Sequence, residues 1–319
     1  MKKPLYLLLG LLAIFVIVYF LLIQKEKKTF RREKVENFLQ LDSAAVNRFE
    51  FNLFDTKLAF EKVNQQWYMT RPDSCRADNR AIEQMLSMAT HLEVGEKISS
   101  NPEKQFVFQV DTVMGNRLDF FDGGNLLASM VIGKMQEDRL HAYLRKTDSD
   151  DVYLARGLFS SIANRRLDLW KDRSLFVLNP KQASQIELGR DGKKFRLTKQ
   201  DTLWFVSAHP YQESLPADGK AVDEYLGTLA GMKLDEFIKA FQSAGVSFDR
   251  PQLELKLILP DGEQETVVAV AQGGEESRYF VKTDRDKNIF ILYEFNFKRI
   301  AKSFEDFLPE EGEEEEAEE

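Results

Sequence analysis

The sequence predicts an α+β chain. An N-terminal transmembrane helix is followed by two tandem homologous domains, each an antiparallel meander, a helix, a second antiparallel strand group and a short closing helix. Three observations carry that prediction. Residues 46–170 and 184–308 are one pattern written twice, about 137 positions apart. Within each copy, stretches of period-two alternation lie on both sides of a single stretch of helical periodicity. Ahead of both copies, Leu5 to Ile23 is uncharged and apolar.

That N-terminal run is 19 residues long, and at about 1.5 Å rise per residue it spans roughly the 30 Å hydrocarbon core of a bilayer. It exceeds the h-region of a cleaved signal peptide, and no small-x-small site follows it. Residues 1–24 therefore read as a transmembrane signal anchor that engages the lipid bilayer through Leu5 to Ile23. Residues 25–44 form a basic juxtamembrane linker, in which Lys25 to Lys34 could face anionic headgroups. Orientation stays open on the residues alone. Counting cations favours a cytoplasmic body, whereas a three-residue flank holding Lys2 and Lys3 resembles a signal anchor that exports the rest.

The first repeat occupies residues 45–173 and the second residues 174–309. Each opens with a three-stranded meander: Phe49 to Phe54, Lys57 to Lys62 and Trp67 to Thr70, then Ile186 to Gly189, Phe195 to Lys199 and Leu203 to Ser207. Asp191-Gly192 is an Asp-Gly hairpin signal. Phe49-Glu50-Phe51 returns as Ile186-Glu187-Leu188, and Trp67-Tyr68-Met69 as Trp204-Phe205-Val206, at a spacing of 137. The helix that follows returns at 140: Ala77-Asp78, Ile82, Met85, Leu86 and Ala89 become Ala217-Asp218, Val222, Tyr225, Leu226 and Leu229. Three residues have thus been added between Ala208 and Pro216, and Asp78 and Asp218 stand as N-caps.

After a short connection comes the second strand group. In the first copy it runs Arg117 to Asp122, Leu126 to Ile132, His141 to Arg145 and Val152 to Leu154. In the second it runs Leu253 to Leu259, Glu265 to Ala271, Arg278 to Lys282 and Ile289 to Leu292. Short amphipathic helices, Leu158 to Leu167 and Phe295 to Phe304, close the copies. A period this long marks a duplicated domain, since solenoid units run about 20 to 50 residues. Residues 310–319 supply eight glutamates, equal in number to the net charge of -8, and read as a disordered acidic tail. The remaining body is near neutral, which argues against nucleic acid as a partner.

No catalytic, cofactor-binding or metal-binding constellation stands in the sequence. His91, His141 and His209 lack metal-ligand spacing and fall in three different elements. Cys75 is the only cysteine and reads as a surface or half-buried bystander. Gly123-Gly124 and Gly273-Gly274 are turn glycines, because no Lys-Ser or Lys-Thr follows to make a phosphate cradle. Gly227 and Gly231 read as close packing of a helix on a sheet. Trp67 and Trp204 occupy equivalent sites, and core packing is favoured over a pair of ligand-stacking platforms. The recurrent Lys146-Thr147 and Lys282-Thr283, with Asp148 and Asp284, read as strand-end and turn chemistry.

Trp67-Tyr68-Met69, Pro72, the helix opened by Ala77-Asp78, the hairpin ending Val131-Ile132-Gly133, Tyr143 and Val152-Tyr153, placed behind an N-terminal anchor, resemble the domain of unknown function 4340 family. The likeness covers residues 1–308, departing at Ala271-Gln272-Gly273 and in the acidic tail. The resemblance implies a single-pass protein of the bacterial inner membrane, its body outside the cytoplasm, often encoded beside ABC-2-type or gliding-motility-type transporter components. It implies no catalytic residues and no cofactor. The expectation is a non-enzymatic accessory or scaffold subunit whose partner is an ABC-type permease or auxiliary membrane subunit. The alternatives are an extracytoplasmic binding module for an envelope polymer or peptide, and an enzyme with a site between the repeats.

Overall fold

The computed structural model describes residues 10–21, 38–53, 56–156, 166–210, 213–238, 245–273 and 278–309. The chain divides into two compact units, Met1–Lys171 and Asp172–Glu319. Helix α1, residues 10–21, is the described part of the apolar run. Among the described residues no helix is long and apolar enough to cross a membrane; residues 5–9 and 22–23 of the expected span lie outside them.

Unit one is built on nine antiparallel strands: β1 (Arg48–Asn52), β2 (Lys57–Val63), β3 (Gln66–Arg71), β4 (Cys75–Arg76), β5 (Glu93–Ser99), β6 (Asn116–Asp122), β7 (Asn125–Met135), β8 (His141–Lys146) and β9 (Val152–Arg156). They form one sheet in the order β4-β3-β2-β1-β6-β7-β8-β9-β5. Unit two repeats the order as β13-β12-β11-β10-β15-β16-β17-β18-β14. Its strands are β10 (Gln185–Arg190), β11 (Lys193–Gln200), β12 (Leu203–Ala208), β13 (Leu215–Pro216), β14 (Glu236–Ile238), β15 (Leu253–Ile258), β16 (Gln264–Ala271), β17 (Arg278–Thr283) and β18 (Ile289–Tyr293). The chain is α+β, with one topology used twice.

Two features of the sheets go beyond the pattern legible in the sequence. The meander and the second strand group are not separate: β1 pairs with β2 on one side and β6 on the other, Phe49 facing both Phe60 and Phe120. The connection after each helix is not plain loop either, since it contains β5 or β14, which closes the far edge of the sheet on β9 or β18. The added residues of the second copy lie where the spacing placed them, between β12 and β13. Both copies follow the third strand with a cis X-Pro peptide, Arg71-Pro72 and His209-Pro210.

Alternation decides which face is buried. Phe49 and Phe51 of β1, Leu118 and Phe120 of β6 and Met130 and Ile132 of β7 share the covered face with Trp67 and Met69 of β3. Helix α2 (Asn79–Thr90) contributes Ala81, Ile82, Met85, Leu86 and Ala89 to the core of unit one. In unit two, helix α4 (Gly219–Gly231) contributes Val222, Tyr225, Leu226 and Leu229. Each large apolar side chain so buried contributes about 1.5 to 3 kcal/mol. The Asp78 carboxylate accepts from the N–H groups of Arg80 and Ala81, and Asp218 from those of Lys220 and Ala221, so both caps form. Asp191 and Gly192 both have positive φ, 50° and 81°, as the twist-matched two-residue hairpin turn requires.

Among the described residues the opposite face has its apolar cover over the β7 to β9 side. In unit one a segment containing a 3-10 turn (Pro102–Lys104) and the short helix α3 (Gln105–Phe108) lays Phe108 and Val110 on Val131, Tyr143 and Val152. Gly133 of β7 lets that segment approach, since a Cβ there would run into the Phe108 carbonyl oxygen. Unit two has a matching small core of Ile238, Val270, Phe280 and Ile291. The second closing helix is α5, Glu294–Ile300, shorter than expected and followed by a 3-10 turn at Glu305–Phe307. The first closing helix falls outside the described residues except at its end, where Leu167–Trp170 is a 3-10 turn.

Candidate functional site

The structure keeps the histidines in separate elements. His91 is the C-cap residue of α2, with Nδ1 2.8 Å from the Ser87 carbonyl oxygen. His141 opens β8, its Nδ1 2.5 Å from an Asp138 carboxylate oxygen. His209 lies in the loop after β12 and donates its backbone N–H to the Lys194 carbonyl at 2.8 Å. Among the described residues, no group of three or more His, Cys, Asp or Glu could hold a metal ion.

Cys75 is corrected: it is buried, 6% exposed, at the start of β4 opposite Met69. Its counterpart in the second copy, Leu215, opens β13 and is 40% exposed. Trp67 and Trp204 are core residues, 1% and 4% exposed, and Phe49 meets the Trp67 ring edge-on at 5.5 Å. A platform for a ligand needs an open ring face, so that alternative falls. Gly227 and Gly231 do not seat the helix on the sheet, because a Cβ at either would enter open space. Gly123 turns with φ 55° and Gly273 with φ 71°, while Gly274 lies outside the described residues. Asp284 accepts from the Thr266 N–H at 3.0 Å and donates its own N–H to the Thr266 carbonyl, which is turn chemistry.

What the fold does repeat is a groove. In unit one Asn47, Arg48, Glu61, Lys62, Val63, Gly123 and Gly124 line a hollow of about 320 Å³ at one end of the sheet. In unit two Lys181, Ser184, Lys199, Asp201 and Pro260 line one of about 350 Å³. Asn47 and Ser184, Lys62 and Lys199, and Gly123 and Pro260 are each 137 positions apart, so the two grooves are one site in two copies. One ammonium recurs in both at the same register, directly across the hairpin from its tryptophan, and Lys181 adds a second in unit two. Lys199 lies 5.8 Å from the Trp204 ring centroid. A polar hollow with one recurrent cation can hold an acidic or hydroxylated group; it offers no nucleophile paired with a base.

Four buried charges went unremarked in the sequence, and the first, Asp119, is 5% exposed and accepts from Arg117 Nε at 2.8 Å. Glu265 is 1% exposed and accepts from the N–H groups of Val177 and Leu178 at 2.8 and 2.9 Å. Burial raises its pKa above the ordinary carboxylate value, against the opposing pull of those two N–H groups. Arg145 is 6% exposed, and its Nε donates to the Val110 carbonyl at 2.7 Å while Nη1 reaches the carbonyls of Lys146, Thr147 and Ser149. Lys171 is 4% exposed, with Nζ 2.7 Å from Asp73. A signal existed for Glu265 alone: it alternates with Val267 and Ala269 on the inward side of β16. All four meet backbone groups or a counter-charge.

The family model described as Domain of unknown function (DUF4340) matches residues 67–244 and residues 210–311. No curated protein matches the chain.

Proposed function

The chain belongs to the domain of unknown function 4340 family, and from that premise we propose a non-enzymatic, membrane-anchored accessory or scaffold subunit of a bacterial envelope ABC transport system. Its body is held outside the cytoplasm and its partner is an ABC-type permease or auxiliary membrane subunit. One observation carries the membrane part of the reading. The large apolar side chains from Leu11 to Leu21 are 46% to 66% exposed along α1, and a row of such groups is stable only against another apolar medium. The sequence continues that row to Leu5 and Ile23, long enough for a bilayer. The resemblance supplies the transporter context, and two copies of one sheet with structural rather than reactive buried charges favour a scaffold.

The test is recovery of the full chain from its native membrane in mild detergent, followed by mass spectrometry. Co-purification of an ABC permease is expected; recovery of the chain alone or with soluble cytoplasmic proteins overturns the reading. Topology is read separately. Because Cys75 is buried, the reporter is Lys220→Cys in a Cys75→Ser background, labelled in intact spheroplasts by a membrane-impermeant maleimide. Labelling only after lysis puts the body inside.

The repeated groove favours a second reading, an extracytoplasmic module that binds an envelope polymer or peptide through Lys62 and Lys199. Sedimentation of the detergent-solubilised chain with isolated envelope polymer, lost in a Lys62→Ala, Lys199→Ala double variant, would select it.

A further inference from the structure

We propose that the loop of unit one from Asn101 to Gly115 is a second membrane contact, laying Phe106, Val107, Val113 and Met114 into the interfacial layer of the bilayer that holds α1. The inference rests on the anchor reading above and adds to it a site on the body.

The four side chains are 69%, 56%, 72% and 36% exposed. The loop that presents them is firmly mounted. Phe108 packs on Tyr143 with ring centroids 4.7 Å apart, and Val110 is fully buried. The Asp111 carboxylate accepts from the N–H groups of Val113 and Met114 at 2.8 and 3.0 Å. Arg145 fixes the Val110 carbonyl, and a Cβ on Gly115 would lie 2.6 Å from the Asp111 carbonyl oxygen. The loop thus sends Phe108 and Val110 inward and four other large apolar groups outward by a defined fold. In unit two the corresponding small core takes Val246 and Phe248 as partly buried members, and residues 245–250 expose no large apolar side chain.

The position of the loop names its occupant. Gln105, at the foot of the exposed pair, donates Nε2 to Asp150 at 2.8 Å, in the turn between β8 and β9. Phe38, where the described body begins after α1, leans on the same place: its ring meets Tyr153 at 5.3 Å, and Lys146 Nζ lies 5.2 Å from its centroid. Phe38, Lys146, Asp148, Ser149 and Tyr153 line one hollow. The chain therefore arrives from the anchor at the end of unit one that carries the exposed loop. Phe38 follows residue 21 by 17 positions, a reach of at most about 60 Å. Tethering on that scale gives a weak apolar contact a high effective concentration at the bilayer. The surroundings carry no basic excess, since Lys97, Lys104 and Lys146 stand beside Glu103, Asp111, Asp148, Asp150 and Asp151, so the contact is apolar and independent of anionic lipid.

The test uses the full chain, Cys75→Ser, in phosphatidylcholine nanodiscs, with an environment-sensitive fluorophore on a single introduced cysteine. Ile14→Cys reports the anchor, Val107→Cys the loop and Lys220→Cys the solvent. Quenching by spin-labelled lipid is expected at positions 14 and 107 and absent at 220. Adding Phe106→Ser and Val113→Ser should cut quenching at 107 several-fold without changing the melting temperature. Water-like emission at 107 with quenching at 14 overturns the loop contact and leaves the anchor standing. Water-like emission at both removes the anchor reading and this one with it. Quenching at 107 that appears only with anionic lipid overturns the apolar mode proposed.

Discussion

The backbone N–H of Asp78 donates to the carbonyl of Trp170 at 2.9 Å, and in unit two Asp218 donates to Phe307 at the same distance. One residue thus does two jobs in each copy: its carboxylate caps the helix and its amide holds the end of the domain. The held residue is a core aromatic. Trp170 packs on Phe60 at 5.5 Å, and Phe307 meets Tyr225 edge-on at 5.3 Å. Each unit is stapled closed at the N-terminus of its helix.

Trp170→Ala and Phe307→Ala should therefore each destabilise their own unit by about 3 to 5 kcal/mol, as expected for emptying a filled aromatic site. Asp78→Ala should cost about 1 kcal/mol, the usual loss of an N-cap, because the amide remains. Denaturant melts of the detergent-solubilised chain check both. A loss below 1 kcal/mol for either aromatic would show that the staple is slack.

Trp67→Ala and Trp204→Ala should behave alike, each costing about 3 to 5 kcal/mol through the cavity left beneath the helix. Unchanged melting with either variant would return these rings to the surface.

Gly133→Ala should be destabilising by about 1 to 3 kcal/mol, the cost of overpacking, because the new methyl meets the Phe108 carbonyl oxygen, which is backbone. Hydrogen exchange of residues 105–115 should quicken in step. Gly124→Ala, whose Cβ enters open space, is the control and should be neutral within about 0.5 kcal/mol. Equal effects of the two substitutions would deny the close approach.

Alanine at His91, His141, His209 or Cys75 should leave cellular function intact, since the proposed scaffold role asks no chemistry of them. Complete loss from one such change, at normal protein level and melting temperature, would demand an enzyme.

The duplication was legible because alternation, caps and turn residues are local, and evolution had kept them in register: Phe49 and Ile186, Asp78 and Asp218, Trp67 and Trp204. Joining the two strand groups was not legible, because the Phe49 to Phe120 pairing spans 71 positions and no local pattern specifies it. The edge strand β5 was missed for a different reason. It pairs on one side only and carries bulges between Val94 and Lys97 and between Lys97 and Ser99, so its alternation is broken. Cys75 was misplaced because a two-residue strand has no period. Arg145 gave no warning either, since a charge on the less covered face of a strand looks solvated until a loop closes over it.

Glu265 allows a test in which the sign is fixed in advance. Burial raises its pKa in the folded state above the value in the unfolded chain. Between the two values the folded state holds more protons than the unfolded state, so stability must fall as pH rises through that window. The wild-type chain should therefore lose stability from the ordinary carboxylate range upward until Glu265 is ionised in the fold, and Glu265→Gln should remove that part of the slope. Glu265→Ala removes the acceptor altogether. It strands the Val177 and Leu178 N–H groups, each at a cost of about 1 to 3 kcal/mol, at every pH. Melting curves of the three proteins across the acidic range decide it. A wild type and a glutamine variant with parallel pH dependence would mean that Glu265 ionises in the fold as it does in the open chain, and that the two amides fully offset its burial.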